Sequence, residues 1–235
     1  MVATRFFDSF NKDKFEKEAW STQLLVCGLD EVGRGPLFGP VVAAAVILPG
    51  RSHRCLKDSK VMSPAERLKA FDWIQKNCWT ATAIIHNRKI DAVNIYQATL
   101  QALRRAFMQL MIRHQVPVST ILVDAMPLSL ENTSHEKINL FYFPFGEKKS
   151  SSIAAASIVA KVTRDALIVR LDSTFPDYFL AQHKGYATSL HYQQLVKKGA
   201  GILHRTSFLK KLSLAVDEEI FQQTLGVLDH EQSFC

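Results

Sequence analysis

Five short apolar runs punctuate the chain, at 24–29, 41–48 ("VVAAAVIL"), 80–87 ("TATAIIHN"), 120–125 ("TILVDA") and 138–145 ("INLFYFPF"). Their length, their β-branched content and the turn residues between them predict strands. Elsewhere the apolar period lengthens to that of a helix. Ser63, Pro64 and Glu66 have the form of an N-cap, a first-turn proline and a capping-box partner, and predict a helix running toward Cys78 with Leu68, Phe71 and Ile74 on its core face. From Ile95 to His114, Leu100, Leu103, Phe107, Leu110 and Met111 recur at helical spacing and are assigned to packing. A third helix is predicted over 151–171, where Ala154, Ala155, Ala156, Ser157 and Ala160 would let its backbone come close to a sheet; Pro176 marks its end. Three strands followed by a helix–strand–helix–strand–helix alternation predict an α/β domain: a mixed five-stranded sheet with helices on its faces.

Composition narrows the class without changing the fold. At 235 residues, with 47% apolar and 22% charged positions, the chain suits one main domain rather than a disordered, collagenous or disulfide-held one. No internal repeat or long linker divides it. The expected domain covers 1–211, including a short lead-in over 1–22, and is followed by an acidic tail over 212–235. That tail holds Asp217, Glu218, Glu219, Asp229 and Glu231 with no Lys or Arg, and "AVDEEIFQQTLGVL" predicts a helix packed through Val216, Ile220 and Leu225. No apolar run approaches the roughly 18 residues of a membrane span, and the opening is too charged for a signal-peptide core, so a cytoplasmic protein with no membrane partner is expected. Cys27, Cys55, Cys78 and Cys235 show no C-x-x-C spacing, which argues for reduced structural thiols over a zinc site or a disulfide framework. The net charge is +7; without the tail's −5, residues 1–211 carry +12, which permits a polyanionic partner.

Candidate chemistry begins at Asp30 and Glu31, adjacent acids at a strand end before a turn holding Gly33, Arg34, Gly35 and Gly39. Successive strand side chains point to opposite faces, so a regular strand cannot aim both acids at one point, and the nearby glycines suggest a bend or bulge. Alone, such a pair is most often two solvated turn residues. Asp124 adds weight. It ends the apolar run "TILV" at a strand's C-terminal end, the edge where open α/β sheets place ligands. Hard oxygen ligands gathered there suit Mg²⁺ or Mn²⁺ bridging a phosphodiester.

Five segments, in order, resemble the ribonuclease HII family: "GLDEVGRGPLFGPVVAAAVIL", "LKDSKVMSPAER", "ILVDA", "SIAAASIVAKVTRD" and "FLAQHKGYATSLHYQQLVKKGAGILHRTSF", together spanning residues 28–208. The resemblance implies an RNase H-like fold and a metal-dependent endonuclease; a monomer is expected. Its substrates would be RNA–DNA hybrids and duplex DNA containing single ribonucleotides, cut 5′ of the ribonucleotide to leave 3′-hydroxyl and 5′-phosphate ends. It implies Asp30, Glu31 and Asp124 as metal ligands for two Mg²⁺ or Mn²⁺ ions, and Glu147 as a fourth catalytic carboxylate where the family usually has aspartate. It also implies that Gly33, Arg34 and Gly35 sense the ribose 2′-hydroxyl, the group that tells RNA from DNA, and that Tyr186 stacks at the junction between ribonucleotide and deoxyribonucleotide. Lys60 and Lys184 are candidate phosphate contacts. Thr206 stands where the family pattern usually has a second basic residue; Asp165 reads as a capping or salt-bridge residue, and His183, His191 and His204 show no convincing metal spacing. The competing readings are a non-catalytic hybrid-binding module, which needs no carboxylates, and another metal nuclease of this fold, which does not account for the G-R-G turn together with Tyr186.

Overall fold

The computed structural model describes residues 4–5, 11–50, 56–57, 59 and 61–210. The expected tail helix, with Val216, Ile220 and Leu225, lies outside them. The described chain runs β1 (Thr4–Arg5), α1 (Lys14–Ser21), β2 (Leu25–Val32), β3 (Val41–Ile47), α2 (Pro64–Asn77), β4 (Trp79–Ile85), α3 (Asn87–Arg113), β5 (Val118–Asp124), β6 (Asn139–Phe143), α4 (Gly146–Lys149), α5 (Ser151–Asp172), a 3-10 turn at Pro176–Tyr178, α6 (Leu180–His183) and α7 (Ser189–Lys198). The sheet is ordered β1-β6-β5-β2-β3-β4. β2–β3 and β3–β4 are antiparallel, whereas β2–β5, β5–β6 and β1–β6 are parallel. The sheet thus has six strands, not the five expected. The sixth is the two-residue β1, too short to show any alternation in sequence.

Period-two alternation sorts β3 between two cores. Val41, Ala43, Ala45 and Ile47 face the cluster that includes Leu103, Phe107 and Leu110 of α3, while Ala44 and Val46 face the cluster that includes Ile74 of α2 and Val159 of α5. The small alanines let helices close on both faces. Gly28 in β2 marks the nearest approach: a Cβ there would stand 2.1 Å from the main-chain carbon of Ser152. The expected close packing of α5 therefore occurs at its first turn, against a glycine.

That first turn is satisfied by the lead-in. Asp13 accepts from the Ser151 N–H (2.7 Å) and hydroxyl (3.0 Å), and Glu16 accepts from the Ser152 N–H (3.2 Å) and the Ser150 hydroxyl. Both acids are buried and sit where helix N–H groups lack internal partners. Elsewhere, the Ser63–Glu66 capping box forms with Pro64 in the first turn. Leu68, however, is exposed; α2 buries Ala70 and Ile74 instead. The helix expected from Ile95 is real, but Asn94 breaks a longer element: its φ of 66° is non-helical, and its side chain accepts from the Gln97 N–H at 3.0 Å, capping the main segment.

Gly28→Ala is expected to lower stability by about 1–3 kcal/mol, the usual cost of overpacking a filled core, or about 2–4 °C of melting temperature per kcal/mol at this size. Thermal unfolding of the variant checks this, and an unchanged midpoint would show that α5 can retreat from β2 at no cost.

Candidate active site

The parallel pairing of β2 with β5 ends at Leu29–Val123. The next residues on the two strands are Asp30 and Asp124, so two carboxylates emerge side by side where the sheet opens. The expected bend at Asp30 and Glu31 is not how the acids gather. β2 stays in register with β3 through Val32, pairing Asp30 with Ala44 and Glu31 with Ala43. Alternation is kept: Asp30 shares the face of Gly28, toward α5, while Glu31 shares the opposite face with Leu29. Both reach one cleft because β5 has stopped beside them.

Glu147 enters from α4, in the connection from β6 to α5. The Gly146 N–H donates to Asp124 Oδ1 at 2.8 Å, and a Cβ on Gly146 would lie 3.0 Å from that oxygen, so glycine allows the contact. Glu147 is 3% exposed, and its Oε2 accepts from the Ser59 N–H at 2.7 Å. Among the described residues, Asp30, Asp124 and Glu147 form a possible cation site, with one oxygen of each within 4.8 Å of the others. Glu31 is outside this trio yet lines the same cleft of about 420 Å³, as do Ser157, Lys161, Arg67 and Tyr186. Its Oε1 faces the Arg34 guanidinium at 3.4 Å, and its Oε2 is buried with no hydrogen-bond partner.

Electrostatics match a site built for a cation. Burial, then the charges of Glu31, Asp124 and Glu147, hold the Asp30 carboxyl well above its ordinary range, against a hydrogen bond from Ser157. Burial also pushes Glu31 up to about 7, with Asp124 adding to the shift and Arg34 opposing it. Crowded hard oxygens, one of them an orphan, fit a divalent ion.

The turn after β2 is held from below by two fully buried arginines that the sequence did not single out. Arg164 of α5 donates to the carbonyls of Pro40 (3.1 Å), Phe38 (3.0 Å) and Lys184 (3.0 Å). Arg205 donates to those of Gly33 (2.6 Å), Arg34 (3.1 Å) and Gly39 (2.9 Å). Gly33 has a φ of 96°, and a Cβ there would strike Arg164 Nε at 2.3 Å. A Cβ on Gly35 would point at the Tyr186 ring, 4.0 Å away. Tyr186 is 37% exposed, with Lys161 Nζ 5.8 Å and the Arg164 guanidinium 5.7 Å from its ring centre.

Other expected residues fall differently. Lys184 turns its ammonium back onto the Ala181 carbonyl. Lys60 lies outside the described residues. Asp165 pairs with Lys161 at 3.0 Å, as expected of a salt-bridge residue. Thr206 bonds Asp91 Oδ2 through its N–H (3.0 Å) and hydroxyl (3.1 Å), so it anchors the end of the chain's body to α3. Ser59 and Ser157, joined at 2.9 Å, support Glu147 and Asp30, and Arg67 clamps the Ser59 carbonyl at 3.0 Å.

A folded-state pKa above the unfolded value favours the fold while the group is protonated. For Glu31 that contribution is full below the ordinary value of 4.5 and is lost as pH rises through about 7. The metal-free protein is therefore expected to lose melting temperature over that window and to regain it when Mg²⁺ is added at pH 8. Asp30→Asn should raise the metal-free midpoint by about 2–4 °C per kcal/mol of relieved repulsion and blunt the Mg²⁺ response. Calorimetry across pH, with and without metal, checks both signs.

Comparison with known proteins gives the family and the fold. Residues 27–211 match the model of the family described as Ribonuclease HII. A Ribonuclease HII of Alkaliphilus metalliredigens is 42% identical over 208 residues, covering 86% of this chain and 98% of that protein. The Archaeoglobus fulgidus RNase HII solved in complex with PCNA superimposes with a TM-score of 0.61 at 26% identity, over 77% of this chain and 94% of that one. Bst-RNase HIII in complex with Mn²⁺ shares the fold, with a TM-score of 0.62 at 19% identity over 78% of this chain and 66% of that one. The family match takes in the cleft, both of its flanking turns and the helix beneath them, and the chain belongs to the ribonuclease HII family of metal-dependent ribonuclease H endonucleases.

Proposed function

We propose that the enzyme cuts the RNA strand of RNA–DNA hybrids and cuts 5′ of a single ribonucleotide embedded in duplex DNA, leaving 3′-hydroxyl and 5′-phosphate ends, with Mg²⁺ or Mn²⁺. The observation that carries this reading is the meeting in one cleft of a carboxylate trio, a fourth acid bonded to Arg34, and a half-exposed tyrosine facing a glycine of the same turn.

Asp30, Asp124 and Glu147 would hold the cations, with the orphan oxygen of Glu31 completing the set. Divalent ions bound there would lower the pKa of an attacking water and offset charge on the leaving oxygen. The protein's own groups orient the substrate. Arg34 keeps its side chain 43% exposed while touching Glu31, so one cation can face both an acid and a substrate phosphate. Gly35 carries no side chain between the turn and Tyr186, leaving room for a sugar. Lys161 and Arg164 back the Tyr186 ring, whose phenol can stack on a sugar or base while its hydroxyl stays wet. Lys161, which lines the cleft while paired with Asp165, is a phosphate contact better placed than Lys184, which does not line it.

Duplex DNA carrying one ribonucleotide should be cut at its 5′ side in Mg²⁺ or Mn²⁺ and left intact in EDTA; intact substrate in all three overturns the proposal. Asp124→Asn should reduce cleavage to background with the fold preserved. Glu147→Gln should lower turnover with little change in affinity, whereas Glu147→Asp retains substantial activity. Single-turnover rates and binding isotherms separate these cases. Tyr186→Ala should lose more on the single-ribonucleotide duplex than it loses in binding to all-DNA duplex.

A further inference from the structure

Beneath the loop that carries Tyr186 lie three histidines that the carboxylate cluster does not use. His183 ends α6, His191 lies in the first turn of α7, and His204 belongs to the segment that bridges Phe38. They are 8%, 0% and 1% exposed. The His183 and His191 rings stack at 4.4 Å, and His191 Nε2 faces His204 Nε2 at 3.1 Å.

Their hydrogen bonds assign a proton to one nitrogen of each ring. His191 Nδ1 lies 2.9 Å from the Tyr186 carbonyl, which only accepts, so Nδ1 carries the proton and Nε2 is bare. That bare nitrogen accepts from His204 Nε2–H. His204 Nδ1 in turn accepts from the Gly201 N–H at 2.9 Å. The Gly201 carbonyl also lies 3.2 Å from His204 Nδ1, but a proton there would set two bare nitrogens against each other at the His191 contact. On the other side, His183 Nε2 donates to the Tyr178 carbonyl at 2.8 Å, and its Nδ1 accepts from the Gly185 N–H at 3.1 Å. Every ring is satisfied in its neutral form. Burial, with the neighbouring histidines, holds His204 down to about 4 and His191 below its ordinary value, so neutrality persists at working pH.

The consequence falls on one dipeptide. The Gly185 N–H and the Tyr186 carbonyl are each gripped by an imidazole, while the Gly185 carbonyl accepts from the Leu37 N–H at 2.8 Å. Gly185, at φ 81°, lies so near Phe38 that a Cβ would come within 2.9 Å of the Phe38 carbonyl oxygen. The tyrosine is thus fixed relative to the G-R-G turn through its own backbone.

We propose that His204, His191 and His183 form a neutral relay of positioning residues that sets the pose of Tyr186, and with it the enzyme's preference for an isolated ribonucleotide over a continuous RNA–DNA hybrid. The proposal rests on the reading of Tyr186 as the residue that stacks at the junction.

The test compares kcat/KM on a single-ribonucleotide duplex with kcat/KM on an all-RNA/DNA hybrid, for the parent, His204→Leu, His204→Gln, Tyr186→Ala and the His204→Leu/Tyr186→Ala double variant. His204→Leu leaves a buried nitrogen of His191 unpaired and should lower the ratio by about tenfold. His204→Gln, which can still donate to that nitrogen, should restore most of it. In the Tyr186→Ala background, His204→Leu should change the ratio no further. If Tyr186→Ala lowers the ratio but a folded His204→Leu does not, the relay is wrong and the Tyr186 reading stands. If Tyr186→Ala leaves the ratio unchanged, the Tyr186 reading fails and the relay with it. Nitrogen-15 NMR of the unmutated protein gives a measurement independent of any variant's folding: the expected spectrum at pH 7 shows Nδ1–H for His191 and Nε2–H for His183 and His204. A charged or oppositely protonated His191 overturns the proposal.

Discussion

Four carboxylates share a cleft that the fold has partly closed to water, and their mutual repulsion is the constraint on which the rest of the structure depends. Like charges in such a space drive each other toward protonation or apart. This chain prevents separation by rooting the four acids in three rigid elements: Asp30 and Glu31 in β2, Asp124 in β5, Glu147 in α4. Main-chain N–H groups then hold individual oxygens. The Glu31 N–H donates to Asp30 at 2.7 Å, Gly146 to Asp124 and Ser59 to Glu147. The crowding stays in place, and in the bare protein Asp30 and Glu31 answer it by holding their protons more tightly; a divalent cation at this cleft would displace those protons and turn the crowding into affinity.

The turn beside the cleft poses the opposite problem, two buried cations. Arg164 and Arg205 are fully buried, and six carbonyl oxygens accept their hydrogen bonds. A guanidinium presents its donors in a rigid fork, and a glycine-rich turn presents carbonyls at several angles, so the two shapes fit. Each arginine loses solvation on burial, and burial pulls the Arg205 pKa down to about 9. The result is a turn whose backbone is specified by side chains rather than by its own short-range bonds.

Much of this was legible from the chain. Strand positions followed from apolar runs, the α2 start from Ser63 and Glu66, and the membership of Asp30, Asp124, Glu147 and Tyr186 in one cleft from the family resemblance. What escaped had physical reasons. Leu68 was assigned inward because it is large and apolar, while the small Ala70 makes the actual contact. The route by which Asp30 and Glu31 reach one cleft depends on where β5 stops, which is a property of its partner strand. Arg164 and Arg205 gave no signal, because the carbonyls that justify their burial lie mostly more than a hundred residues away.

The lead-in has a bearing on what counts as the folding unit. The segment of this chain matched by the family model is residues 27–211, yet the first turn of α5 takes its capping acceptors from Asp13 and Glu16, upstream of that stretch. A chain trimmed to the matched segment would leave those N–H groups bare, at about 1 kcal/mol for each lost cap. The exposed turn would be the one pressed against Gly28 and joined directly to Glu147 through α4. A domain boundary drawn at residue 27 would therefore cut through a working helix cap, and the stretch before β2 belongs to what holds α5 against the floor of the cleft.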